Sequence, residues 1–168
     1  MVTVEQARSE RQIGAVRELF RAFVAWHRAA QVHDLALIDR YFDKDAFEAE
    51  LRGLPGQYAP PKGSLLVAFA DGAEAGAVAL RDLGEGDCEM KRMFVLPAHQ
   101  GKGIGRRLAD AVIADGRAAG YRRMRLDTGP RQEAAIALYE SLGFHRIPPY
   151  YALPRELSDV LLFFERDL

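Results

Sequence analysis

The sequence predicts an α/β fold in which a mixed sheet carries helices on both faces. Three observations carry that expectation. Amphipathic helical stretches occupy the N-terminal third, and apolar strand-like runs follow in quick succession between residues 64 and 96. Beyond them the chain alternates strand, glycine-rich loop, helix and strand. With 168 residues, 49% hydrophobic and 28% charged, the chain suits a single domain over 1–168 that buries its own core.

The elements follow in order. A short strand is expected near Thr3–Ala7, then a helix in which Ile13, Val16, Phe20, Phe23 and Val24 recur at helical spacing. A second helix is expected from about Leu35 to Leu51, with Leu35, Ile38, Phe42, Phe47 and Leu51 as its buried stripe. Gly53–Gly63, with Pro55, Pro60 and Pro61, reads as an ordered loop, because neither flank looks complete without the other. Ser64–Ala70 is a strand closed by the turn Asp71-Gly72, and Glu74–Arg81 is the next. Gly84–Gly86 turns the chain into Cys88–Leu96, which Pro97 ends. Ile104–Ala119 is a helix with Ile104, Leu108, Ala111 and Val112 on one face, stopped by Gly120. Tyr121–Thr128 is a strand. Pro130 opens a helix that ends at Gly143 with Phe144 folding back on it, and Val160–Glu165 is the last strand.

Several function classes are disfavoured. A formal net charge of -1 offers no attraction for nucleic acid. The N-terminus meets Glu5 and Arg8 too early for a signal peptide, and no stretch is long and apolar enough to span a membrane. The lone Cys88 cannot form an internal disulfide, so a cytoplasmic setting is expected, with the thiol as a small buried side chain of its strand. His27, His33, His99 and His145 are scattered without ligand spacing, so no metal is expected.

The loop Gln100-Gly101-Lys102-Gly103-Ile104-Gly105 lies between a strand and a good helix. Glycines there let the backbone approach a ligand, and the unpaired amides of a helix start suit a pyrophosphate at the positive end of the helix dipole. Lys102 and Arg106 can add charge at the rim. A Walker loop is absent. The dinucleotide pattern fails because Arg106 stands where its last glycine should be.

Gln100-x-x-Gly103-x-Gly105, preceded by Phe94-Val95-Leu96-Pro97, resembles the cofactor motif of the GCN5-related N-acetyltransferase (GNAT) superfamily. Ala135-x-x-x-Tyr139-x-x-x-Gly143-Phe144 resembles that family's next motif. The resemblance implies a mixed, mostly antiparallel central sheet flanked by helices on both faces, with acetyl-CoA as co-substrate and no metal. It implies direct acetyl transfer to a primary amine, with a small-molecule acceptor expected. A protein or peptide acceptor, or a catalytically silent acetyl-CoA sensor, are the alternatives. The strand Glu89–Val95 would splay from its neighbour and offer the backbone of Phe94 and Val95 to pantetheine, and one amide near Phe94 would polarise the thioester carbonyl. Gln100, Gly101, Lys102, Gly103, Ile104, Gly105 and Arg106 would hold the pyrophosphate. Gln132 stands where many relatives have an asparagine that bonds pantetheine.

By the same resemblance Tyr139 corresponds to the general acid that protonates the leaving thiolate, the alternative being a packed core tyrosine. Glu89 corresponds to the base of histone-acetylating branches, the alternative being an ion pair with Lys91. Asp127 is assigned to a local cap over Thr128–Pro130 rather than to catalysis. The acceptor wall is expected from the N-terminal helices, Leu54–Lys62 and His145–Pro154, with Tyr58, Arg92, Tyr150 and Tyr151 available. A homodimer through the C-terminal strands is also consistent with the resemblance.

Overall fold

Strand β1 (Val2–Gln6) leads into α1 (Glu10–Ala30) in the computed structural model, which describes Met1–Leu168. Ser9 and Gln12 close the start of α1 as a capping box, each side chain meeting the other's backbone amide at 3.1–3.2 Å. Two short helices follow, α2 (Leu35–Tyr41) and α3 (Lys44–Arg52), where the periodicity had predicted one continuous helix. The break has a local cause. Asp43 leaves the helical region, at φ -52° and ψ 123°, and its carboxylate caps the amide of Ala46 at 2.9 Å, so the helix restarts. Phe42 and Phe47 still reach the interior, because the stripe continues across the joint.

Next come β2 (Ser64–Ala70), β3 (Ala73–Gly84) and β4 (Asp87–Val95). Asp71 and Gly72 both have positive φ, 51° and 85°, the two-residue turn that matches strand twist. The chain continues through α4 (Ile104–Ala118), β5 (Arg123–Thr128) and α5 (Glu133–Ser141). It closes with β6 (His145–Ile147), α6 (Arg155–Ser158) and β7 (Leu162–Asp167). Pro130 does not open α5. The amide of Gln132 bonds back to Gly129 in a turn, and the helix begins at Glu133. At its other end Phe144 folds back as expected, its amide reaching the carbonyl of Tyr139 at 3.0 Å across Gly143, at φ 83°. Strand β6 and helix α6 were not anticipated. Each is too short to show a hydrophobic period, and β6 is mostly exposed.

The seven strands form one sheet, ordered β1-β2-β3-β4-β5-β7-β6, in which only β4 and β5 run parallel. Alternation along β2 splits the interior in two. Leu65 and Val67 face α1 and α3, whereas Leu66 and Ala68 face the layer built on α4. No helix is long and apolar enough to cross a membrane.

Candidate active site

The site begins where β4 leaves β5. Their parallel pairing covers only Asp87–Glu89 against Arg123–Arg125, and beyond Glu89 the β5-facing edge of β4 has no partner. The register against β3 slips between Ala77 and Ala79, where Arg92 holds φ 57°. That bulge bends β4 away from β5. It also brings Lys91 and Arg92 to the same side, with Lys91 over the Tyr41 ring and Arg92 against Phe42.

Ladder parity decides which backbone groups face the gap. Leu96 donates to the carbonyl of Ala75 at 2.9 Å, which makes Ala77 and Phe94 a hydrogen-bonded pair and Gly76 and Val95 a non-bonded one. Phe94, expected to present its backbone to a ligand, is therefore turned toward β3, and its side chain is buried against Phe23 and Trp26. Val95 faces the gap, and its carbonyl accepts a bond from Gln100 Nε2 at 3.0 Å.

The glycine loop follows. Gly101 and Gly103 have φ 74° and 75°, conformations that disfavour any side chain. The first amide of this stretch with a backbone partner is that of Arg107, bonded to the carbonyl of Gly103 at 3.1 Å. The amides from Gly101 to Arg106 remain unengaged at the positive end of α4. Gly105 packs beside Leu138 and Val95, and Ile104 is buried beneath the loop. Lys102 reaches the carbonyl of Ala98 at 2.9 Å, and Arg106 lies 3.3 Å from both Asp110 and Ser141. These two side chains are exposed and lie along the protein surface.

Where the strands part, a cavity of about 130 Å³ opens, lined among others by His27, Tyr41, Lys91, Asp127, Gln132 and Tyr139. Tyr139 is packed in the core and also reaches the cavity. Its ring meets Phe144 and Phe164, while its hydroxyl has no protein partner and stands on the cavity wall. Burial, then the charge of Asp127, pushes its ionisation well above the usual phenol range, so it is held as an acid. Gln132 Nε2 lies 3.4 Å from His27 Nδ1.

Glu89 is wholly buried and stands off the cavity wall. Arg81 Nε donates to one oxygen at 2.7 Å, Tyr150 donates to the other at 2.5 Å, and Lys91 Nζ lies at 3.7 Å. Asp127, assigned by sequence to a local cap, is on the wall instead and accepts bonds from Tyr41 and Tyr151 at 2.6 Å each. Tyr150 and Tyr151 thus tie the segment before α6 to both parting strands. Tyr58 is not available to a ligand, since it is fully buried and donates to Glu50 at 2.7 Å. Arg92 is held by the same Glu50 at 2.9 Å and packs on Phe42 and Phe47. The roles of His27 and Asp127 had no local signal, because each depends on partners far away in the chain. No group of three or more His, Cys, Asp or Glu side chains is arranged to hold a metal ion.

Comparison with known proteins agrees with this geometry. Residues 18–144 match the family model of the acetyltransferase (GNAT) family. The IAA acetyltransferase of Azospirillum brasilense is 37% identical over 134 residues, covering 78% of this chain and 86% of that one. An uncharacterised N-acetyltransferase of Schizosaccharomyces pombe is 39% identical over 107 residues, 62% of this chain and 66% of its own length. Among solved structures, the PaiA N-acetyltransferase of Thermoplasma acidophilum in complex with coenzyme A superposes with a TM-score of 0.71 at 17% identity, over 100% of this chain and 99% of that one. A GNAT-family acetyltransferase of Staphylococcus aureus gives a TM-score of 0.77 at 18% identity, over 99% of both chains. With most of its length inside the family model and the parted strands in place, the chain belongs to the GNAT family of acetyltransferases.

Proposed function

We propose that the protein transfers an acetyl group from acetyl-CoA to the primary amine of a small molecule, directly within a ternary complex. The observation that carries this reading is one continuous feature: the unengaged amides from Gly101 to Arg106, the open edge of β4 at Val95, and the free hydroxyl of Tyr139 on the adjoining cavity wall. The amides hold a pyrophosphate at the N-terminus of α4. Val95 pairs with pantetheine as an added strand would. The donor that polarises the thioester carbonyl is a gap-facing amide, which excludes Phe94. Tyr139 gives its proton to the thiolate as the new amide bond forms.

The attacking amine must first lose a proton. Two carboxylates line the cavity, and because Asp34 is paired with Arg131 at 3.2 Å, Asp127 is the one without a cationic partner for an incoming ammonium to meet. Glu89 lies deeper and takes part through a relaying hydroxyl or water. The cavity is close in size to one of about 150 Å³ that holds a benzene ring, which favours a small acceptor over a peptide. Cys88 is buried, with its thiol pushed up to about 12, and we place the protein in the reducing cytoplasm.

Calorimetry with coenzyme A and thiol release from acetyl-CoA across an amine panel test the reading. Saturable heat with turnover supports it; saturable heat with no turnover on any amine marks a sensor. Tyr139→Phe keeps the packing and loses only the unpartnered hydroxyl. It is expected to lower kcat by about 100-fold, with coenzyme A affinity and melting temperature close to those of the parent. An unchanged kcat would remove Tyr139 from the chemistry.

A further inference from the structure

The polar groups of the cavity wall are unevenly satisfied. Arg92 is committed to Glu50 on one side and to the Phe42 and Phe47 rings on the other, and its one unpartnered nitrogen, Nη1, is buried out of reach of a ligand in the cavity. Glu89 has both oxygens taken at short range by Arg81 and Tyr150. Asp127 has one phenol on each oxygen. Lys91 differs. Its side chain is only 14% exposed, it lines the cavity, and Nζ makes no hydrogen bond, its closest carboxylate being the already engaged Glu89 at 3.7 Å. An ammonium has three donors to place, and burying it without partners is costly. Burial accordingly works against the charge of Lys91 and lowers its ionisation.

Charge balance points the same way. In and around the wall, Arg81, Lys91, Arg92 and Arg131 offset Glu50, Glu89, Asp127 and Asp34. A plain ammonium entering this enclosure adds an uncompensated charge. A zwitterion adds none, and it can set its ammonium toward Asp127 while its acid group satisfies Lys91.

Resting on the acetyltransferase reading above, we infer that Lys91 anchors a carboxylate of the acceptor, so the substrates are small amines that also carry a carboxylate, as free amino acids do. Lys91 is then a specificity-determining residue, placed on the wall by the bulge at Arg92.

Thiol release from acetyl-CoA, measured with a panel of free L-amino acids against the matching amino-acid amides, tests this. The acids should exceed their amides in kcat/KM by about tenfold or more, the scale of a charge-assisted hydrogen bond to a poorly solvated partner. Lys91→Met should bring that ratio near unity, chiefly by raising KM for the acids, and Lys91→Arg should retain part of the preference. Coenzyme A binding by calorimetry checks that each variant is folded. Equal rates for acids and amides in the parent, or an unchanged ratio in Lys91→Met, overturn the inference and leave the acetyltransferase reading intact. Where coenzyme A binds but no amine turns over, N-acetyl amino acids and their methyl amides are titrated into the coenzyme A-loaded protein. Heat for the acids alone, lost in Lys91→Met, upholds the assignment; its absence overturns it. No heat with coenzyme A itself defeats the acetyltransferase reading, and this assignment with it.

Discussion

His27 sits in the last turns of α1 with its ring among Phe23, Trp26 and Phe42, at centroid distances of 4.5, 5.2 and 6.0 Å. Burial lowers its pKa from 6.5 to about 4, so the ring is neutral where the enzyme works. The side-chain amides of Gln31 and Gln132 converge on its Nδ1, which ties α1 to the start of α5 across the cavity. A histidine harder to protonate folded than unfolded leaves the unfolded chain with more protons between these two values. Stability is therefore lost as pH falls through about 6.5 toward 4 and levels off below, at a cost of roughly 3 kcal/mol for this group. Thermal melts between about pH 7.5 and about pH 4.5, a range that takes in most of the window between the two values, should show His27→Gln with a shallower acid slope than the parent. Parallel curves would mean the ring is charged in the folded state.

At the scale of elements, the N-terminus of α4 ties backbone conformation and the proposed pyrophosphate contacts to the same residues. Gly103 is the cap of that helix at φ 75°, and a Cβ there would meet no protein atom within 4 Å. Gly103→Ala is therefore not a packing change. It costs about 1–2 kcal/mol of left-handed backbone strain, and its methyl enters open space within the loop proposed to hold the pyrophosphate. Gly120→Ala, at φ 86° beyond the far end of α4 and equally unobstructed, bears the same strain away from the loop. Both should melt lower by a similar amount, and only Gly103→Ala should weaken coenzyme A, by about tenfold, one missing hydrogen-bond interaction's worth. Equal affinities in calorimetry would place the pyrophosphate elsewhere. Helices α2 and α3 make a related point, since the cap at Asp43 turns the chain so that Phe42, Phe47 and Glu50 converge on Arg92.

For the whole molecule, the central pair β3–β4 separates the two halves of the core and also sets one wall of the gap. Gly76 is where these duties meet. A Cβ at this position would lie 2.5 Å from the carbonyl oxygen of Phe94 and 3.1 Å from Leu108 Cδ1. The oxygen is backbone held in the ladder and cannot step aside. Gly76→Ala should cost about 1–3 kcal/mol by overpacking, read from denaturant melts. It should also weaken coenzyme A, because displacing Phe94 displaces Val95 at the gap. A loss of stability with affinity intact would show that the two duties are separable. The pairing of β4 with β5 over three positions only completes the design, since a longer ladder would close the site.

What the sequence determined by itself was whatever depends on a short window of chain. The glycine loop, the start of α4, the turn at Asp71-Gly72 and the fold-back at Gly143-Phe144 were legible, because each is written in the backbone preferences of adjacent residues. The helix break at Asp43 was also local, but the apolar stripe running through it masked the cap. Only the tertiary structure decided which backbone faces the gap, since one bulge at Arg92 shifts the parity of β4 against β3 and turns Phe94 away while exposing Val95. It alone decided the carboxylate partners as well. Tyr41 and Tyr151 reach Asp127 across 86 and 24 positions, and Tyr150 reaches Glu89 across 61. Side-chain reach in folded space leaves no period or motif in the chain, and so the charge pattern of the cavity had to be seen to be known.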